Sequence, residues 1–165
     1  MKIFGIVGWK NSGKTFFAEK IINKLSSLDF KIASIKHAHH DFDIDHPNTD
    51  SYIHRNAGSQ EVIISSSKRW AKITELKNSN EKNLEYLIKQ LTNPDIVIVE
   101  GFKTKKHPKI EIIKDPLNTS TYMFNAIDNI TAIVSDIEIK SFKKKQFKKN
   151  QINEICNHIL EYKHE

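Results

Sequence analysis

The start of the chain places the strongest constraint on its fold, because an apolar strand, a glycine-bounded loop and a helical pattern follow one another without interruption. Residues 2–7 are apolar and rich in β-branched side chains, which predicts a buried strand. Residues 13–28 carry apolar side chains at helical spacing, which predicts a helix. The loop between them fits the pattern G-x-x-x-x-G-K-[ST] and reads Gly8-Trp9-Lys10-Asn11-Ser12-Gly13-Lys14-Thr15.

This loop predicts a binding site for the phosphates of a nucleoside triphosphate. Backbone N–H groups in a tight loop, together with the positive end of the following helix, offer donors to a dense negative charge. Glycine permits the backbone angles that such a loop needs. We expect Lys14 to reach the β- and γ-phosphates and the Thr15 hydroxyl to ligate Mg²⁺. All eight residues of the loop are therefore assigned to nucleotide binding: Gly8, Trp9, Lys10, Asn11, Ser12, Gly13, Lys14 and Thr15.

An acidic residue ends the most apolar strand of the sequence. Residues 96–99 are all isoleucine or valine and are followed by Glu100 and Gly101. We predict that Glu100 holds Mg²⁺ through a water molecule or orients an attacking water. The alternative is an ordinary acid at a strand end. Aspartate is the usual residue in this role, so the distance from the longer glutamate to the metal stays open.

The rest of the sequence alternates strands with helices. Strands are expected at residues 31–35, 61–65, 96–99, 110–113 and 130–134, and helices at residues 50–57, 81–91 and 152–160. This alternation predicts an α/β protein of the P-loop NTPase class, with a mostly parallel twisted sheet and helices on both faces. The length favours a single nucleotide-binding domain over residues 1–165.

The charge of the chain comes from lysine rather than arginine. The formal net charge is +6, yet Arg55 and Arg69 are the only arginines. Because nucleic-acid readers usually rely on arginine, we expect no nucleic-acid partner. We interpret residues 143–149 as a solvated helix or loop, with an anionic partner as the alternative. A P-loop small-molecule kinase is the alternative function, but two arginines are too few for its multi-arginine lid.

Cysteine content and hydropathy bear on the compartment. Cys156 is the only cysteine, so no internal disulfide can form, as expected in a reducing cytoplasm. The long apolar runs are strand-sized and too short to cross a membrane. We therefore expect a cytoplasmic protein with no membrane partner.

Three further segments, with the phosphate loop, carry a family resemblance. They read Ile35-Lys36-His37-Ala38-His39-His40-Asp41-Phe42-Asp43-Ile44-Asp45, Asp50-Ser51-Tyr52-x-His54-Arg55-x-Ala57-Gly58 and Val99-Glu100-Gly101-Phe102-Lys103. Over residues 2 to about 113 the chain resembles the molybdopterin-guanine dinucleotide biosynthesis protein B family. The segment rich in histidine and aspartate is unusual among P-loop proteins, so the match is specific.

The resemblance implies a GTP-binding, weakly GTP-hydrolysing homodimer. Such a protein assists the guanylyltransferase that joins GMP to molybdopterin in making molybdenum cofactor, and molybdopterin itself is a second candidate ligand. Related ParA-like ATPases carry a signature lysine directly after the first loop glycine. Trp9 stands there in this chain, and we do not assign that role to Lys10. An Asn-Lys-x-Asp guanine motif is also missing from the sequence.

Guanine selection therefore needs another residue, and Asp136 is the candidate. It follows the strand predicted at residues 130–134 and Ser135. A carboxylate at this point can accept the paired N1–H and N2–H donors of guanine, which adenine lacks. A capping acid before the next segment is the alternative.

The segment from His37 to His46 leaves three interpretations open. It is a switch loop linked to the nucleotide, a plain polar loop, or a transition-metal site of histidine and carboxylate ligands. Asp41 is our first candidate for positioning the attacking water, followed by Asp43.

Two features beyond this segment each have a structural and a functional interpretation. Asp50, His54 and Arg55 are expected to pair at the surface, with a contact to a partner or a pterin phosphate as the alternative. Trp70 is expected to be a core or dimer contact rather than a platform for stacking a base.

Overall fold

The computed structural model describes residues 1–38, 41–77 and 80–163. Its contacts form two compact units, residues 1–37 with 84–165 and residues 38–83, each described separately below. The strands are β1 (Lys2–Val7), β2 (Ile32–Lys36), β3 (Glu61–Ser65), β4 (Trp70–Thr74), β5 (Ile96–Glu100), β6 (Lys109–Ile112), β7 (Ile130–Val134) and β8 (Lys145–Phe147). The helices are α1 (Lys14–Ser26), α2 (Asp50–Asn56), α3 (Leu84–Ile88) and α4 (Ile152–Glu161), with short 3₁₀ turns at Thr119–Thr121 and Met123–Asn125. That the whole chain is one nucleotide-binding domain stays a prediction.

The first unit is built on a parallel sheet with the strand order β2-β5-β1-β6-β7-β8. The predicted parallel sheet is thus confirmed. Its register fixes which residues meet at the carboxyl edge, because Glu100 of β5 lies opposite Ile6 of β1 and Lys36 of β2. The chain leaves β1 into the glycine loop at this same edge.

Both faces of the sheet are covered, as the sequence predicts. On one face, alternate residues of β1, β5 and β6, such as Phe4, Ile98 and Ile110, pack against α1 and α4. On the other face, Val97 and Val99 pack against α3. Each large apolar side chain buried in this way contributes about 1.5–3 kcal/mol relative to exposure. No helix in the described ranges has the length and apolar character needed to span a bilayer.

The structure departs from the predicted elements at three places. Residues 81–91 were expected to be helical, but α3 is shorter: it begins at Leu84 and ends at Ile88. Residues 143–149 were interpreted as a solvated helix or loop; their lysines are exposed, but the secondary structure was wrong, since β8 pairs with β7 and buries Phe147. β4 was not predicted, because its side chains are largely exposed and give no clear alternation.

The second unit contains α2 and an antiparallel hairpin of β3 and β4. Glu61 lies opposite Thr74 and Ser65 opposite Trp70 at the two ends of this hairpin. The Trp70 side chain is 69% exposed, so the expectation of a core position was wrong. Several apolar neighbours in this unit are also exposed, namely Ile53, Ile63 and Ile64.

A strip of buried polar residues interrupts the apolar packing of β6 in the first unit. Lys109 and Glu111 are almost completely buried and alternate with Ile110 and Ile112. The ammonium of Lys109 donates to the backbone carbonyls of Lys105 and His107, and burial lowers its pKa to about 8. The carboxylate of Glu111 accepts the N–H groups at Met123 and Phe124, at 2.7 and 2.9 Å. Burial raises the pKa of Glu111, and these two donors oppose the rise.

His107 makes the stability of this strip depend on pH. Both ring nitrogens are buried and have no hydrogen-bond partner in the described part of the chain. Burial, followed by the charge of Lys109, lowers the pKa of His107 from 6.5 to about 4. Between these values the unfolded chain binds a proton that the folded chain does not. Stability from this group is therefore complete above about pH 6.5 and falls as the pH is lowered towards 4.

We expect His107→Gln to flatten the loss of unfolding free energy between pH 6.5 and 4. One such group contributes a slope of at most about 1.4 kcal/mol per pH unit. Urea unfolding followed by circular dichroism at several pH values measures the slope. The exposed His54→Gln serves as the matched control and should keep the original slope. Equal slopes in the His107→Gln variant and the unsubstituted protein would show that His107 does not carry the effect.

Candidate functional site

The glycine loop joins the end of β1 to the start of α1 in a conformation that depends on its two glycines. A Cβ at Gly8 would lie 2.5 Å from Ser12 Oγ and 2.7 Å from the carbonyl oxygen of Ile112. Gly13 precedes α1 with a φ of +94°, in the left-handed region that favours glycine. Asn11 also has a positive φ, of +62°, so the backbone turns tightly between the glycines. The sequence thus holds the loop close to both β6 and α1.

The first turn of α1 leaves hydrogen-bond donors available. Helix N-termini expose N–H groups without helical partners, and no side chain caps α1 at Gly13. The Ser12 hydroxyl is also buried and has no hydrogen-bond partner among the residues that the structure describes. Donors without acceptors at the start of a helix fit an anionic ligand.

Lys14 bends back over this loop. Its ammonium donates to the carbonyl oxygen of Trp9 at 2.8 Å. Burial lowers the pKa of Lys14, the charge of Glu100 opposes this shift, and the charges of Lys103 and Lys36 add to it. Lys36 is the last residue of β2, and Lys103 follows the end of β5. Together with Lys14, three ammonium groups therefore lie at this site.

Glu100 lies next to Thr15. The Thr15 hydroxyl donates to the carboxylate, with distances of 3.3 and 3.4 Å to its two oxygens. On the other side, Lys36 Nζ lies 3.6 Å from Glu100 Oε1. A hydroxyl and a carboxylate in contact are oxygen donors of the kind that Mg²⁺ prefers, so these residues fit a magnesium ion.

Trp9 and Lys10 lie on the outer side of the loop. The indole N–H of Trp9 donates to the carbonyl oxygen of Thr121 at 2.5 Å. Both residues line a small open cavity of about 250 Å³, together with Lys114, Asp115 and Thr121. The ammonium of Lys103 lies over the ring of Trp9, 5.3 Å from the ring centroid.

Lys36 and Lys103 are site residues to which the sequence analysis assigned no role. Both lie in the segments that carry the family resemblance, directly before His37 and after Phe102. Neither belongs to the phosphate-loop pattern. Only the pairing of β2, β5 and β1 brings them to the loop, so a spacing rule could not have found them.

Asp136 lies just after β7, at the same carboxyl edge of the sheet as the loop. Its carboxylate accepts a hydrogen bond from Lys149 Nζ at 2.6 Å, and both side chains are about half exposed. Asp136 is thus paired with a lysine, whereas the alternative in the sequence analysis was a capping acid. A role in base recognition stays a prediction.

Arg55 binds three acidic residues of the second unit. Its guanidinium donates to Asp43 at 2.5 Å, to Asp45 at 2.9 Å and to Glu75 at 2.6 Å. The hydrogen bonds to Glu75 and Asp45 raise the pKa of Arg55. Asp43 and Asp45 therefore fix the loop to α2, whereas Asp41 is exposed. Surface pairing was expected for Arg55 together with Asp50 and His54, whereas the ion pairs of Arg55 are with these three acids.

The remaining histidines give no metal centre in the described residues. No three side chains of histidine, cysteine, aspartate or glutamate come together there as ligands. His39 and His40 lie outside the described residues. Asp50 and His54 line an open cavity of about 600 Å³ within the second unit.

Known proteins resemble this chain throughout the region that builds the site. The family model described as molybdopterin guanine dinucleotide synthesis protein B matches residues 3–136. The match thus extends beyond residue 113, where the sequence segments placed its end, and includes Asp136.

Two relatives and one solved structure agree with this match. The molybdopterin-guanine dinucleotide biosynthesis adapter protein of Escherichia coli K12 is 32% identical over 139 residues, covering 83% of this chain and 79% of that protein. The adapter protein of the same name from Haemophilus influenzae is 40% identical over 110 residues, covering 66% of this chain and 61% of that protein. A crystal structure of molybdopterin-guanine biosynthesis protein B superposes with a TM-score of 0.76 and 26% identity, over 96% of this chain and 97% of that one. The chain therefore belongs to the molybdopterin guanine dinucleotide synthesis protein B family.

Proposed function

We propose that this chain binds GTP with Mg²⁺ in the loop from Gly8 to Thr15, hydrolyses it slowly, and acts as an adapter in the synthesis of molybdopterin guanine dinucleotide. The observation that carries the proposal is the convergence of Lys14, Thr15 and Glu100 on a loop whose N–H donors have no side-chain cap. The names of the relatives support the adapter role. Its partner would be the guanylyltransferase that joins GMP to molybdopterin, with molybdopterin as a second candidate ligand, in a reducing cytoplasm.

Each residue of the site has a part in this proposal. Backbone N–H groups and Lys14 bind the phosphates, and the Thr15 hydroxyl with Glu100 holds Mg²⁺, directly or through a water. The metal, when bound, offsets the negative charge of the phosphate oxygens. Lys36 pairs with the carboxylate of Glu100, because its ammonium lies 3.6 Å from Oε1.

Slow hydrolysis is expected because arginine is scarce. An arginine that stabilises the transition state raises the rate by roughly 10³–10⁵. Of the two arginines, Arg55 is already bound to three carboxylates. Unless a partner supplies the missing charge, the bound nucleotide persists, which suits an adapter whose occupancy carries the signal.

A homodimer is part of the proposal. Large apolar side chains exposed on the second unit, namely Ile53, Ile63, Ile64 and Trp70, support it, because association would remove them from water. Sedimentation velocity measures the assembly, and a monomer at micromolar concentration would remove the homodimer from the proposal.

Lys14→Ala is expected to weaken GTP binding about ten- to a hundredfold. The variant loses a charge-assisted contact worth roughly 1.5–3 kcal/mol. Calorimetric titration with GTP, ATP and a non-hydrolysable analogue, with and without Mg²⁺, measures the effect and tests the proposed function itself. Lys20→Ala, an exposed lysine on the same helix, is the control and should bind normally. Unchanged affinity in Lys14→Ala would refute the assignment of this lysine.

Asp41→Ala is expected to slow hydrolysis more than it weakens GTP binding, because the proposed role of Asp41 is to position water. Release of labelled γ-phosphate measures the rate. Asp43→Asn tests the second candidate, and we expect a smaller effect on the rate because Asp43 is bound to Arg55. Weaker binding with normal turnover would count against the role of Asp41. Label on a pterin or nucleotide acceptor, instead of inorganic phosphate, would favour the kinase alternative.

Asp136→Asn is expected to reduce the preference for GTP over ATP, because the amide cannot accept both donors of guanine. Competition binding with the two nucleotides measures the ratio. Lys149→Ala is the matched control, since it breaks the same ion pair but keeps the carboxylate. If the preference is unchanged in Asp136→Asn, guanine is recognised elsewhere.

A further inference from the structure

Lys103 places a second ammonium group beside the phosphate loop. Lys103 Nζ is 5.3 Å from the centroid of the Trp9 ring, and its charge contributes to the lowered pKa of Lys14. The described part of the chain gives Lys103 no carboxylate partner within ion-pair distance. A ring face is a weaker partner for an ammonium than a phosphate oxygen, so Lys103 can exchange one for the other.

The backbone that carries Lys103 is held firmly at the end of β5. Gly101 has a φ of +95° and Phe102 a φ of +46°, so the chain turns sharply after Glu100. A Cβ at Gly101 would lie 2.8 Å from His37 Cβ. Phe102 is buried and its ring stacks on that of His37, with centroids 4.7 Å apart. Lys103 itself has a long, flexible side chain, so its ammonium can change position while this turn keeps its conformation.

The charges of the site are unbalanced without an anion. The charges of Lys36 and Lys103 act on Lys14, and the charge of Glu100 opposes them. Lys36 is already next to Glu100. Among the residues that the structure describes, the ammonium of Lys14 contacts a carbonyl oxygen and that of Lys103 an aromatic ring, without a carboxylate in ion-pair contact with either.

The position of Lys103 in the sheet indicates which phosphate it would contact. β5 flanks β1 on the side of Glu100 and Thr15, the two residues that fit Mg²⁺, whereas β6 and β7 flank it on the other side. Lys14, at the start of α1, is expected to reach the β- and γ-phosphates. A cation on the metal side is thus closest to the terminal phosphate.

We propose that Lys103 is a second phosphate-binding cation, which leaves the ring of Trp9 to bind the terminal phosphate of a nucleoside triphosphate and so distinguishes it from the diphosphate. This inference rests on the proposed function of the loop. Lys36 keeps its place at Glu100.

Affinities for GDP and for a non-hydrolysable GTP analogue, both with Mg²⁺, test the inference by calorimetry. Lys103→Ala should bind the analogue about tenfold or more weakly and GDP within about threefold of the unsubstituted protein. Lys103→Arg should restore most of the analogue affinity. Lys105→Ala is the matched control on the same segment, because Lys105 faces Glu85 at 3.7 Å, and it should change neither affinity.

Three outcomes would overturn the inference, and they are distinguishable from failure of the proposed function. Equal losses for GDP and the analogue would place Lys103 on a shared phosphate or in the fold, and unchanged affinities would exclude it from the site. An unsubstituted protein that binds neither nucleotide would refute both proposals at once.

Fluorescence gives a second readout that a merely structural role would not move. Trp9 and Trp70 are the only tryptophans, so Trp70→Phe leaves Trp9 as the single emitter. The analogue should change the emission of Trp9 more than GDP does, because the ammonium leaves the ring only when a terminal phosphate is present. In Lys103→Ala with Trp70→Phe this difference should vanish; its persistence would contradict the exchange.

Discussion

The parallel pairing of β5 with β1 and β2 is the interaction on which the site depends. It brings Glu100 level with Ile6 and Lys36, at the edge where the chain turns into the glycine loop. Because side chains alternate along a strand, a shift of one residue in this register would point the carboxylate to the opposite face of the sheet. The apolar packing of β5 on both faces therefore supports the chemistry indirectly, by holding one acid in contact with Thr15.

The chain divides its positive charge between two tasks according to the chemistry of the cation. Arginine forms a planar fork suited to several carboxylates, and Arg55 uses it to join Asp43, Asp45 and Glu75. Lysine is a flexible point charge, and the cations that meet beside the loop, Lys14, Lys36 and Lys103, are all lysines. Under the proposed function, a site of this composition would hold phosphate rather than accelerate its transfer, which agrees with an adapter role.

Local patterns in the sequence were sufficient for β1, the glycine loop, α1 and the acid at the end of β5, because each depends on spacing within a few residues. Pairings between distant segments were not visible. β8 was missed since its three residues become a strand only beside β7, and the role of Lys103 depends on its approach to Trp9. Asp43 and Asp45 resembled metal or water ligands until Arg55, on the next helix, was seen to bind them. Sequence order alone cannot decide which charged residues meet.

The last strand of the sheet has a consequence for the behaviour of the protein in solution. A strand at a sheet edge exposes unpaired backbone groups, onto which another chain can add. β8 is only three residues long and is surrounded by lysines at positions 143, 144, 145, 148 and 149. Short length and like charge both oppose the addition of a further strand. The lysine-rich segment thus opposes aggregation through this edge of the sheet.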